Sequence, residues 1–133
     1  MKAQIGTMIF ITAILFTGIS CKKDTLPVSS NPERSIKFLL HTEQDFSNDN
    51  DSIIFSVFIR SHTEVLFDSM LYSMKIKDIP SSANQLVFEK KVVGNNADLS
   101  VGFRYEIRNV GFSWYTDTCQ SGQTSKVVDF SFH

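Results

Sequence analysis

Cysteine is scarce in this chain: two residues, Cys21 and Cys119, among 133. A single pair cannot build the disulfide framework of a small secreted scaffold, so stability has to come from an apolar core. Histidine is nearly as scarce. His41, His62 and His133 are far apart, and no two have the short spacing of a zinc site. Six glycines and three prolines are too few for a collagen-like or low-complexity chain. Excess charge is missing too, since thirteen Lys and Arg face fourteen Asp and Glu. Such a balance carries no basic footprint, and no nucleic-acid partner is expected. After Cys21 no stretch repeats its apolar residues at helical spacing, which argues against a helical bundle.

What is present begins with the first 21 residues. Lys2 is a small basic start, Ile5 to Phe16 is an apolar stretch, and Gly18-Ile19-Ser20 places small residues three and one positions before Cys21. That is the layout of a cleaved leader. A cysteine directly after the cleavage site resembles the bacterial lipoproteins. The resemblance implies that the Cys21 thiol is acylated with palmitate-type chains, the leader removed and the new amino terminus acylated. Cys21 is then the lipidation site, and the membrane is a partner through it. Three alternatives compete with that layout. An uncleaved spanning helix needs about 20 apolar residues, and Gln4, Thr7, Thr12, Thr17 and Ser20 shorten the apolar part of this run. An ordinary secretory leader would leave Cys21 without a purpose. A buried core helix finds no helical partner in the rest of the chain. The expected organisation is a signal peptide over 1–20, a lipidated cysteine and extended tether over 21–34, and one domain over 35–133.

Loss of the leader leaves about 112 residues with twelve basic and fourteen acidic side chains and ten of the twelve phenylalanines. One domain of that size can bury a real core, and its aromatic content favours strands. The tether KKDTLPVSSNPER has Pro27, Pro32 and a serine–asparagine cluster but no periodic pattern.

From Ser35 the pattern switches to period two. Ile36, Phe38, Leu40 and Thr42 alternate with Lys37, His41 and Glu43, and a polar turn over 44–51 follows. Over 52–61, Ile53, Phe55, Val57 and Ile59 line one face while Ile54 and Phe58 make the other partly apolar, as in a central strand. Further strands are expected over 64–73, over a short stretch from Met74 to Ile79 ending at Pro80, and over 85–93. Leu99 to Arg108 is the cleanest of all, with Leu99, Val101, Phe103, Tyr105 and Ile107 against Ser100, Gly102, Arg104, Glu106 and Arg108. Asn109-Val110-Gly111 reads as a break or bulge, Phe112 to Thr116 as extended, Asp117 to Ser125 as a polar loop and Lys126 to His133 as the last strand. Seven or so strands separated by turn signals indicate an all-β antiparallel sandwich, immunoglobulin-like or a similar Greek key. The cysteine pair bracketing a tryptophan that marks immunoglobulin domains is absent.

No catalytic constellation is apparent, and neither a cofactor nor a metal site is expected. The acidic loop Asp45, Asn48, Asp49, Asn50 and Asp51 has oxygen ligands for calcium, but it breaks the spacing of an EF-hand and reads better as a turn capping its own backbone. Cys119 with Asp117 and a histidine would be the parts of a nucleophilic site, yet no local signature surrounds the cysteine. Alternation places Phe112 and Trp114 in the core and Tyr115 outside. Tyr115, Asp117 and Cys119, on or beside the loop over 117–125, are therefore the candidate ligand-facing residues.

The junction Ser20-Cys21-Lys22-Lys23-Asp24, the segments Met74-Lys-Ile-Lys-Asp-Ile-Pro80 and Val101 to Tyr115 (VGFRYEIRNVGFSWY), and the closing Lys126 to Phe132 (KVVDFSF) resemble small lipoproteins of Bacteroidetes-type bacteria. A second likeness, on Tyr115-Thr-Asp-Thr-Cys119 alone, is to immunoglobulin-like lipoproteins of conjugative transfer systems. These resemblances imply a lipid anchor and an envelope location and bring no activity or site residues. Lys22 and Lys23 stand where inner-membrane retention would need an acid, which favours the outer membrane. The expected role is a non-enzymatic binding or accessory module with an envelope protein or glycan as partner. The alternative is a periplasmic inhibitor of a hydrolase such as lysozyme.

Overall fold

A computed structural model describes residues 31–94 and 96–133. The leader, Cys21 and most of the expected tether lie outside the described residues. Seven strands follow one another: β1 (Glu33–Thr42), β2 (Ser52–Arg60), β3 (Val65–Lys75), β4 (Leu86–Val93), β5 (Leu99–Ile107), β6 (Gly111–Cys119) and β7 (Ser125–Phe132). Two short 3-10 turns, Ile76–Asp78 and Ser82–Asn84, lie between β3 and β4. The strands form two open sheets, β4-β1-β7 and β3-β2-β5-β6, stacked as a β-sandwich. All neighbours are antiparallel except β1 and β7, which run parallel from Ser35↔Ser125 to Thr42↔Phe132. The order β3-β2-β5-β6 facing β4-β1 corresponds to the C′-C-F-G and E-B strands of an immunoglobulin-type sandwich. The last strand β7, instead of an opening strand, takes the place beside β1.

The alternation read in the sequence is what builds the core. Ile36, Phe38 and Leu40 of β1 face Ile53, Phe55, Val57 and Ile59 of β2 and Leu99, Val101 and Phe103 of β5, all essentially without solvent contact. Phe130 of β7 crosses to the other sheet and meets the rings of Phe103 (5.3 Å), Tyr105 (5.7 Å) and Tyr115 (5.0 Å). Aromatic pairs at these spacings add attraction beyond the area they bury. Two seams close the sides. Phe67 stacks on Phe88 at 5.8 Å between β3 and β4, with Lys90 Nζ 4.7 Å from the Phe67 ring centre. Tyr115 on Phe130, with Lys126 Nζ 2.7 Å from Asp117, does the same between β6 and β7.

Three local expectations need correction. Strand β3 runs unbroken to Lys75, and the expected separate strand over 74–79 is the end of β3 followed by a 3-10 turn, in which Ile76 and Ile79 plug the core. The pairing of β3 with β2 shifts between Phe55 and Ser56, leaving Leu71 as an extra residue between Met70 and Tyr72. A second shift, between Ile59 and Arg60, leaves Leu66 as an extra residue between Val65 and Phe67; a bulge re-aims the side chains beyond it, so Val65, opposite Arg60, is exposed while Phe67, opposite Ile59, packs on the core. Asp117, Thr118 and Cys119 belong to β6 rather than to a loop. The domain also begins earlier than the apolar alternation suggests, because β1 starts at Glu33 and Arg34 is 1 % exposed.

Arg34 ties one pole of the sandwich together. Its Nε donates to the carbonyl of Gln123 (2.9 Å), Nη1 to that of Ala97, and Nη2 to those of Cys119 (2.9 Å) and Gln120. The start of β1 is thereby fastened to the β4–β5 and β6–β7 loops. No carboxylate among the described residues is within ion-pair distance of this guanidinium. A planar five-donor group matched to carbonyls is the side chain best suited to such a position.

Candidate binding face on the four-stranded sheet

The β5–β6 hairpin decides which side chains face solvent. Ile107 pairs with Gly111, and Arg108-Asn109-Val110 make the turn, closed by a hydrogen bond from Val110 N to Ile107 O (3.0 Å). Asn109 adopts φ 65°, a left-handed conformation that asparagine tolerates better than most residues. With that start, Glu106 stands opposite Phe112, Arg104 opposite Trp114, Phe103 opposite Tyr115 and Leu99 opposite Cys119. Residues directly opposite share a face. Phe112 and Trp114 therefore project outward with the charged residues of β5, while Tyr115 and Cys119 turn inward.

This reverses the aromatic assignment made from alternation alone. Phe112 is 71 % and Trp114 44 % exposed, and neither belongs to the core. Tyr115 stacks on Phe130 across the seam. Cys119 is fully buried, with its Sγ 3.1 Å from Arg34 Nη2. Of the three residues expected to face a ligand, two thus serve the core. The third, Asp117, is half-buried in its pairing with Lys126. The structure does not bring them together as one open site.

On the outer face Trp114 reaches across β5 to Phe58 of β2, edge to face at 5.6 Å. The strand between them carries Gly102, whose missing side chain leaves room for the Phe58 ring and the backbone of Tyr115. Phe58 points away from the core and is nevertheless only 3 % exposed. Arg60 lies 5.0 Å from the centre of the Phe58 ring and 5.5 Å from that of Trp114, and Arg104 lies 5.6 Å from Trp114. These are cation–π distances. Asp68 of β3 holds both arginines, at 3.0 Å from Arg60 and 3.8 Å from Arg104. Two shallow depressions flank Glu106: one of about 360 Å³ bounded by Arg104, Phe112 and Trp114, another of about 350 Å³ bounded by Ser52, Ile54, Ser73 and Arg108. The face thus offers an apolar ledge, fixed cations and a free carboxylate within one span. No family model, curated protein or solved structure matches this chain.

The other candidates of the sequence lie elsewhere. In the loop over 43–51, Asp45 accepts the N–H of Ser47 (2.9 Å) and Asp49 that of Asp51 (2.9 Å), turns in which each carboxylate bonds its own backbone. The Ser47 N–H holds the Asp45 carboxyl below its ordinary value. His41 sits on the outer side of the other sheet, 3.0 Å from Asp129 and 3.2 Å from Glu43. His62, in the β2–β3 loop, lines a depression with Asp98, Leu99 and Thr118, and the only side-chain partner of the Cys119 thiol among the described residues is Arg34.

Asp117 supplies a pH test of the seam. Its carboxyl is held below the ordinary value chiefly by the hydrogen bond from Lys126, and less by the N–H of Thr118; partial burial opposes both. A depressed folded-state value means stabilisation that is complete above the unfolded value near 3.8 and lost as pH falls through the folded one. The stability difference between the wild type and Asp117→Asn is therefore expected to be largest near neutrality and to shrink below about pH 4. Urea midpoints compared at about pH 7 and about pH 3 would read it, and an unchanged difference would exclude the pairing as its source.

Proposed function

We propose that this chain is a lipid-anchored protein of the cell envelope that acts by binding rather than by catalysis, with the outer face of β3-β2-β5-β6 as its recognition surface. The observation that carries the reading is the exposed Phe112–Trp114 ledge, whose Trp114 ring is flanked by Arg60 and Arg104. Side chains ordered before contact lose little freedom on binding, and aromatic residues with arginine dominate the energetics of interfaces. A patch of this kind on a rigid sheet is unusual for a surface meant only for water. An envelope protein or a glycan is the class of partner that fits a module on a short tether. The anchor is Cys21, followed by Lys22 and Lys23, which favours the outer membrane.

The domain meets its tether at the pole that Arg34 fastens, so the recognition face runs along its side rather than at the anchored end. Protease treatment of intact cells, with Cys21→Ser as the unanchored control, tests the reading. Cleavage of the domain in intact cells would put the face outside, and protection until the outer membrane is opened would put it in the periplasm. The Cys21→Ser chain is expected to leave the membrane fraction, and equal retention of both chains would overturn the lipoprotein reading.

A further inference from the structure

We infer that the partner of the outer β3-β2-β5-β6 face is a second copy of this chain, docked face to face across a two-fold axis. The inference rests on the binding-module reading above and names the partner of that same surface. Its main support is the charge pattern. Arg104 and Glu106 are neighbours on the outward side of β5, about 7 Å apart along the strand. A two-fold axis lying in the interface and crossing β5 midway between them sets each Arg104 opposite the partner's Glu106, and each Glu106 opposite the partner's Arg104. The hairpin register makes the aromatic residues follow. Phe112 is level with Glu106 and Trp114 with Arg104, so the same axis lays each Phe112 against the partner's Trp114. One operator satisfies both the charged and the aromatic row, as an isologous contact requires.

Size and reach agree with this arrangement. Because the axis crosses β5 (Leu99–Ile107) near its hairpin end, about seven residues of each strand overlap; at about 3.3 Å each, over four strands about 4.8 Å apart, they make a shared face of roughly 23 by 19 Å. That is roughly 440 Å² per copy, well below the ~800 Å² a partner gives to a standard interface, so the pairing is weak and reversible and depends on tethering. The axis reverses the strand direction and puts the two domain starts at opposite ends of the pair. The residues between Cys21 and Glu33 can span at most about 40 Å, so with the pair lying on its side both anchors reach one membrane. Tethering to that membrane raises the local concentration of each copy for the other.

The test uses the full chain in intact cells, with a benzophenone-bearing phenylalanine in place of Phe112. Irradiation is expected to give a product of twice the monomer mass that contains only this chain. Arg104→Glu alone and Glu106→Arg alone should each reduce that product at least fivefold, and the double exchange should restore most of it, which also shows that the single variants fail for lack of pairing rather than lack of folding. A product of another mass would overturn self-association while leaving the binding-module reading in place. A doubled product indifferent to both charge reversals would overturn the proposed axis. Absence of any product would overturn the pairing, and protease treatment of the same cells would then decide the anchored-module reading separately.

Discussion

Replacing Arg34 by alanine is expected to lower the stability of the domain by about 3–5 kcal/mol, the order expected when several buried carbonyls lose one charged donor. The side chain is buried at the pole of the sandwich and donates to the carbonyls of Ala97, Cys119, Gln120 and Gln123. Hydrogen bonds from a charged donor contribute about 1.5–3 kcal/mol each and are not additive. Their loss leaves four carbonyls, one at the end of β6 and three in two loops, competing for whatever water can enter. For a domain near 100 residues the melting temperature should fall by more than about 12 °C. Arg34→Lys keeps the charge but not the planar fork, and one ammonium cannot serve both loops in the same geometry. It should recover only part of the loss. Thermal and urea unfolding of both variants would check this, and a cost under about 1 kcal/mol for Arg34→Ala would show that the clamp follows from the fold and does not hold it.

Gly102→Ala is the second substitution with a large expected effect. A Cβ at this position would lie 1.9 Å from the carbonyl oxygen of Tyr115 and 3.1 Å from Cζ of Phe58. The first distance is far inside contact with backbone, so relief requires β6 to move away from β5 and the ladder to break near Thr116. The second pushes Phe58 out of the place where Trp114 covers it. Overpacking alone costs about 1–3 kcal/mol, and with ladder bonds lost the total should reach at least about 3 kcal/mol. Trp114 is the sole tryptophan, so its emission reports this site directly. A red-shifted spectrum in the variant that remains folded would accompany the loss of stability. Unchanged emission and unchanged melting would mean that β5 and β6 approach less closely at Gly102 than the pairing implies.

The two variants separate two kinds of information in the chain. Strand positions on either side of Gly102 were legible at once, since five apolar residues alternate with five small or charged ones between Leu99 and Arg108. The inward set of β1, β2 and β7 was legible for the same reason, and with it the all-β sandwich. The face to which Trp114 belongs is not legible from alternation, because Phe112, Trp114 and Tyr115 are all aromatic and alternation cannot rank them. A signal was present in the turn. If Arg108-Asn109-Val110 is taken as a hairpin turn rather than a break, counting back from Ile107↔Gly111 sets Trp114 opposite Arg104 and Tyr115 opposite Phe103. A slip of one residue exchanges every side chain between core and solvent.

By itself, then, the sequence determined what depends on neighbours along the chain: period-two strands, their approximate limits, the inward residues of the clean strands and the leader-like stretch that ends at Cys21. Tertiary structure alone decided what depends on distant partners. Arg34 stands in a polar run with no periodic signal, and its role appears only when loops 63 and more residues further along fold back onto it. Cys119 looked like a loop thiol until β6 extended through it and buried it opposite Leu99. The outward ledge of Phe112 and Trp114 exists because the hairpin register sets them opposite Glu106 and Arg104. Alternation is a local property of the backbone, whereas register and burial are set by pairing between segments that the sequence leaves apart.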